Sequence, residues 1–238
     1  MIRAGGAIGR MPPVQGGEGR SNRLSVPSSP QQIEARIIPS SVARTLFERH
    51  HYLHSMPAGT RVCFGCFVGY ELLGALALGV GPINARRLVD GATQDDCLTL
   101  TRLWLDDRLP KNSESRFLGL VLRALRRHTR LKFLLSYADP AAGHVGYVYQ
   151  ATNWLYTGLS EPQPLLDLGD GVPRHTRSVS SALGTHSTKY LRRHGLAVRA
   201  VPRPPKYRYL YFLDPSWRDR LLLPVLPYPK RGDDHGDR

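Results

Sequence analysis

The chain has 238 residues, room for one large domain or a domain with an appendage. Thirty-three Lys and Arg against nineteen Asp and Glu leave a net charge of +14 and a pI near 10.2, a balance that draws a chain toward a polyanion, most often nucleic acid. The 41% of hydrophobic residues can fill a sizeable core, no apolar run reaches the roughly 18 residues of a membrane span, and three cysteines make no disulfide framework, which fits a reducing cytoplasm and no membrane partner.

Residues 1–35 read as a tail, rich in glycine and proline and poor in large apolar side chains that would offset ordering entropy. The start, MIRAGGAIGRMPP, has no apolar stretch of signal-peptide length, so secretion is not expected; Met11 is a second candidate start. One domain is expected over 36–229, with its body beginning near Ile37, and 230–238 reads as a second polar tail. Pro39-Ser40-Ser41 before VARTLFERHHYL predicts a serine-capped helix with Val42, Leu46 and His50 on one face. Arg61–Gly69 and Leu72–Val80 predict a hairpin through Gly69-Tyr70-Glu71, and 97–106 alternates as a strand should. Asn112-Ser113 is expected to cap a long helix with Phe117, Leu118, Val121, Leu122 and Leu125 on its apolar stripe. A buried strand at Phe133–Ala138, a polar loop, a helical stretch at Val145–Thr152 and strands at Tyr156–Leu159 and Tyr207–Leu213 complete the series. That order predicts an α/β fold, a mixed sheet flanked by helices. No G-x-G-x-x-G follows a strand and no Walker loop is present, so a dinucleotide or P-loop site is not expected.

Several clusters carry chemistry. Cys63 and Cys66 form C-F-G-C near three histidines, but residues three apart on a strand face opposite sides, so buried thiols are expected rather than zinc. From spacing alone His50, His51 and Tyr52 are a polar helix end, with projection into a cleft as the alternative. Asn112, Ser113, Arg116 and Gly119 open the long helix, where an anionic donor can sit. Arg116-x-x-Gly119 partly matches the R/Q-x-x-G-x-G/A loop with which GNAT acyltransferases hold the coenzyme A pyrophosphate, although Val121 replaces the last small residue. The densest polar block is SYADPAAGHVGYVYQATNWLYTG, 136–158, where Ser136 and Asp139 end a buried strand, the place α/β sheets put ligands. Finally, 171–213 holds no Asp or Glu. Its cations include Arg174, Arg177, Lys189, Arg192, Arg193, Lys206 and Arg208, with Tyr190, Tyr207 and Tyr209 interleaved, as suits a phosphate-tracking surface. Arg123, Arg126, Arg127 and Arg130 add to it from the long helix.

HHYLHSMP, LTRLWLDDRLPKNSESRFLG and the 136–158 block together resemble the Mom family of phage DNA-modification proteins, over about residues 40–215. The resemblance implies a GNAT-like fold and conversion of adenine in double-stranded DNA to N6-carbamoylmethyladenine in the host cytoplasm, which shields phage DNA from restriction. It marks Tyr52 with His51 beside it, Arg102, Ser136, Asp139 and Tyr149. A duplex substrate would have to be opened and the adenine flipped, with Tyr and Trp of 147–156 as stacking surfaces. Adenine N6 is a weak nucleophile, so a proton acceptor is needed; Asp139 is the candidate, with Arg102 or Tyr149 steadying charge on the donor. The donor is unspecified, acetyl-coenzyme A-like or other. Because a carbamoylmethyl group joins through an sp3 carbon, a metal is the alternative source of reactivity, with His51, Tyr52 and Asp139 as ligands of the type iron accepts. Two further alternatives are a GNAT-like acyltransferase acting on a small molecule or protein, and a non-catalytic DNA-binding protein.

Overall fold

The computed structural model describes residues 29–81, 84–162 and 164–230, so most of the expected N-terminal tail and residues 231–238 lie outside it. The first strand, β1 (Ile33–Ile38), already begins within the span read as tail. Only Ile33 and Ile38 of it are buried and Ile37 is 73% exposed, so it carries little apolar signal. It is held instead by its antiparallel ladder to β2 (Thr60–Val68).

Between them runs α1 (Ser40–His50). Pro39 occupies the N-cap and no side chain caps the helix, so the expected serine cap is absent. The buried face is also one residue over from the expected one. Ala43 and Phe47 are fully buried, while Val42 points outward. Phe47 has more apolar surface to hide than Val42, and the sheet beneath offers Cys63, Ala75 and Ala77, small enough to let the helix approach.

The hairpin is as expected, β2 turning at Gly69-Tyr70 into β3 (Glu71–Gly79). Cys63 and Cys66 of β2 pack into different apolar clusters, on opposite faces of the sheet. Next come β4 (Cys97–Leu105), α2 (Ser113–His128), β5 (Phe133–Ala138), α3 (Tyr147–Gln150) and β6 (Leu155–Leu159); β10 (Tyr207–Phe212) closes the sheet. All five apolar residues expected on α2 are buried, and α2 lies against β1. The seven strands run β1-β2-β3-β4-β5-β10-β6, so the expected α/β layout, a mixed sheet flanked by helices, is the one observed.

One junction shapes the site. Among the described residues only β4 and β5 pair in parallel, and only over Cys97–Leu100 against Phe133–Ser136. Beyond that, β4 runs on beside β3 and β5 beside β10, so the sheet opens between them. An insert between β6 and β10 forms a second, three-stranded sheet with its own helices.

Candidate active site

The opening between β4 and β5 is a cleft of about 760 Å3. Its walls bring together the expected residues. His51 and Tyr52 follow the end of α1, and Phe47 packs edge-on to the His51 ring, which buries it. Arg102 comes from β4 where it leaves β5. Asp139 follows the last residue of β5, and Tyr149 descends from α3. Gly146 starts α3 at φ +85°, and a Cβ there would meet the Tyr209 ring at 2.5 Å; only glycine lets the helix begin at that point. Ser136 stands behind Tyr149, fully buried, with its hydroxyl 2.7 Å from the Tyr149 oxygen and 3.0 Å from the Leu100 carbonyl. A carbonyl only accepts. When Ser136 gives its one proton to Leu100, the Tyr149 hydroxyl donates to Ser136 and keeps its lone pairs for the cleft.

The electrostatics are those of a buried polar cluster. Burial, with Arg102, His144 and His54 adding repulsion, lowers His51 to about 4, so its imidazole is neutral at pH 7. Its Nδ1 accepts the Leu53 N–H, which places the ring proton on Nε2. Burial, with Asp139 adding repulsion, raises Tyr52. Burial pushes Tyr149 up to about 12, so it stays protonated. Arg102 fixes the loop above the cleft by donating to the Ser55 carbonyl and hydroxyl and to its neighbour's carbonyl at Thr101.

Asp139 has partners that sequence reasoning missed. Its Oδ2 accepts from Arg203 at 2.5 Å and Lys206 at 2.8 Å, and Oδ1 accepts the Ala141 N–H. Burial alone would raise this carboxyl, but the two cations hold it below the usual carboxylate range. At Lys206 burial dominates and lowers the ammonium, with the carboxylate opposing. Lys206 was expected on a DNA surface; it pairs with Asp139 at the cleft instead. Its acid-free surroundings in the sequence concealed a partner far along the chain.

Other expectations also change. Trp154 and Tyr156 are buried in the core and cannot receive a base; the exposed rings at the cleft are Tyr147 and Tyr52, the latter 5.4 Å from His144. Among the described residues no three His, Cys, Asp or Glu side chains come together as a metal-binding group. The expected iron set of His51, Tyr52 and Asp139 does not fit, because the carboxylate is committed to two cations and Nδ1 of His51 to a backbone N–H.

The expected donor site is divided. Ser113 turns inward to the Pro110 carbonyl. Asn112, in a left-handed conformation at φ +69° and without a side-chain cap, lines the cleft together with Ser115. Both also line a neighbouring groove of about 560 Å3 along α2, with Arg116, Gly119, Arg123 and Arg126. Arg116 and Gly119 lie within the helix rather than in a loop, since the Arg116 N–H already bonds the Asn112 carbonyl. The Arg116 Nε, in contrast, is buried with no partner among the described residues.

A family model described as the Mom protein family matches residues 32–230, nearly the whole described chain. The chain belongs to the Mom protein family. Methylcarbamoylase mom of Escherichia phage Mu is 32% identical over 208 residues, 84% of this chain and 85% of that protein. Solved structures similar to this Mom-family chain include an acetyltransferase from Salmonella typhimurium that modifies the N-terminal serine of ribosomal protein L7/L12, at TM-score 0.44 and 11% identity over 80% of this chain and 99% of that one. An N-acetyltransferase from Staphylococcus aureus Mu50 has TM-score 0.42 and 12% identity, covering 76% and 97%. The Mom match begins at residue 32, one residue before β1, so the strand missing from the sequence reading is part of the family unit. No helix among the described residues is long and apolar enough to cross a membrane.

Proposed function

We propose that this Mom-family chain is a DNA-modifying transferase that joins a carbamoylmethyl group to N6 of adenine in double-stranded DNA, inside the bacterial host, and so shields that DNA from restriction. The observation that supports it is convergence. His51, Tyr52, Arg102, Asp139 and Tyr149, distant in sequence, line one cleft, with Ser136 directly behind.

Each residue has a role consistent with its chemistry. A flipped adenine stacks against the exposed rings of Tyr52 and Tyr147 at the cleft. Asp139 accepts a hydrogen bond from N6–H through the side of Oδ1 not used by Ala141. Two cations make it a weak base, but a weak base suffices. Once the N6 lone pair begins to bond to carbon, its proton becomes acidic, and a carboxylate that is always ionised can take it. The Nε2–H of neutral His51 and the Arg102 guanidinium face charge that develops on the donor.

The donor is an activated anionic carrier of the coenzyme A kind, its charged portion beside Arg116, Arg123 and Arg126 in the α2 groove. N6 must finish on an sp3 carbon, which plain acetyl transfer from a thioester does not accomplish. The transferred piece is therefore a carbamoylmethyl group attached to its carrier through the methylene carbon; N6 bonds to that carbon as the carrier departs with the bonding pair and Asp139 takes the N6 proton.

Restriction of plasmid DNA tests the proposal. Plasmid from cells expressing the protein is expected to resist endonucleases with adenine in their sites, and plasmid from cells expressing Asp139→Asn is expected to be cut normally. Complete cutting at every such site, from cells containing soluble wild-type protein, would overturn it.

A further inference from the structure

The cations of 171–213 look unopposed in the sequence, but in space many are neutralised by acids outside that stretch. Arg203 and Lys206 close on Asp139, Arg199 on Asp167 and Arg174 on Asp170. Arg208 donates to the hydroxyl and carbonyl of Thr157. Lys189, Arg192 and Arg193 remain, all exposed and without an acidic partner among the described residues, which do not include the Arg177 side chain. The three sit together on one short helix.

That helix belongs to the insert between β6 and β10. Its sheet has β7 (Leu165–Asp167) between β8 (Arg174–His175) and β9 (Arg199–Val201). Its helices are α4 (Thr176–Leu183) and α5 (Thr188–Arg193). Leu166, Val179, Leu191 and Val198 form a separate apolar cluster that holds both helices to β7. Gly184, at φ +72°, ends α4 in the left-handed conformation. The Ser187 hydroxyl then accepts the Tyr190 N–H and starts α5, and Ser180 bonds His186 to tie the turn to α4. Two short helices, a glycine-containing turn of residues 184–187 and a shared apolar contact are the parts of a helix-turn-helix.

The outward face of α5 follows from its geometry. At about 100° per residue, positions two before and two after buried Leu191 both point away from it. Those positions are Lys189 and Arg193, one turn apart. Tyr190, 51% exposed, stacks on His194 at 4.0 Å beside them. Arg192 anchors the base of the helix by donating Nε to the Val198 carbonyl.

We infer that α4 and α5 are a docking element for duplex DNA, with Lys189, Tyr190 and Arg193 facing the major groove. The groove is about 12 Å wide and admits a helix. The inference rests on DNA being the substrate, and it adds where the duplex is gripped. The chain leaving β9 carries Arg203 and Lys206 to Asp139, which fastens the insert to the catalytic cluster.

The test is binding of the full chain to short labelled duplexes across a salt series. Lys189→Gln with Arg193→Gln is expected to reduce the slope of log affinity against log salt by about 2, about 1 per cation, and to weaken binding at least tenfold (roughly) at low salt. Arg193→Lys is expected to keep the slope and reduce the preference between duplexes of different sequence, since lysine lacks the planar fork. Both positions are exposed, so thermal unfolding should match wild type. Wild-type slope and affinity in the double variant would overturn the docking assignment, and unaltered sequence preference in Arg193→Lys would overturn the groove placement. If wild-type protein binds no duplex, the DNA reading itself fails; if it modifies DNA while both variants bind normally, only the α5 assignment fails.

Discussion

His51 sets a pH dependence whose sign is fixed by its environment. Its folded value of about 4 lies below the ordinary 6.5. As pH falls, the unfolded chain binds the proton first, so stability present above pH 6.5 is progressively lost down to about 4. His51→Gln removes that titration, and urea midpoints between pH 6.5 and 4 should fall less steeply than in wild type. Asp139 has the opposite chemistry with the same sense. Its folded value is depressed, so its contribution is complete above the ordinary 3.8 and is lost only at lower pH. Asp139→Asn leaves Arg203 and Lys206 without their counter-charge and should cost roughly 3 kcal/mol, read as a lower urea midpoint. It should also abolish modification while duplex affinity stays within a few-fold of wild type; modification at the wild-type rate would remove Asp139 from the chemistry. Tyr149→Phe deletes the hydroxyl bonded to Ser136 and should reduce modification with little change in DNA affinity. At this scale the resemblance and the polar block at 136–158 identified the cleft residues. They could not reveal the Arg203 and Lys206 pairing, because nothing in local pattern links Asp139 to a segment reached only after the insert.

Among the elements, α3 depends most on a single residue. Gly146 combines a left-handed backbone with a Cβ position already occupied by the Tyr209 ring. Gly146→Ala should destabilise by about 2 kcal/mol or more, and should reduce modification because Tyr149 is carried on the same turn; differential scanning calorimetry with a modification assay checks both. The elements with strong periodicity were legible. The five-residue stripe of α2, the hairpin through Gly69-Tyr70 and the buried run of β5 each follow from the sequence. The failures have specific causes. β1 is stabilised by backbone pairing to β2 with only two buried side chains, so it offers no pattern to read. The α1 face was displaced because small residues of β2 and β3 accept Phe47 there, a tertiary preference no helix pattern contains. The insert strands span only two or three residues each and are too short to alternate visibly.

For the molecule as a whole, the net charge of +14 proves to be partitioned. One share is paired with carboxylates, at Asp139, Asp167 and Asp170. Another lines the α2 groove through Arg116, Arg123 and Arg126, beside the reactive cleft. A further cluster, Lys189, Arg192 and Arg193, is presented on α5. Composition alone indicates a polyanionic partner, and only the fold separates cations that stabilise the site from those free to meet a phosphate. The organisation predicts a molecule that holds duplex DNA on its insert, a donor along α2, and one adenine in the opening between β4 and β5. The most direct measurement is mass spectrometry of nucleosides from DNA of bacteria expressing the protein. The account predicts a modified deoxyadenosine with the mass of its N6-carbamoylmethyl derivative, absent when Asp139→Asn is expressed at equal level. An unmodified deoxyadenosine profile from cells holding folded, soluble wild-type protein would contradict it.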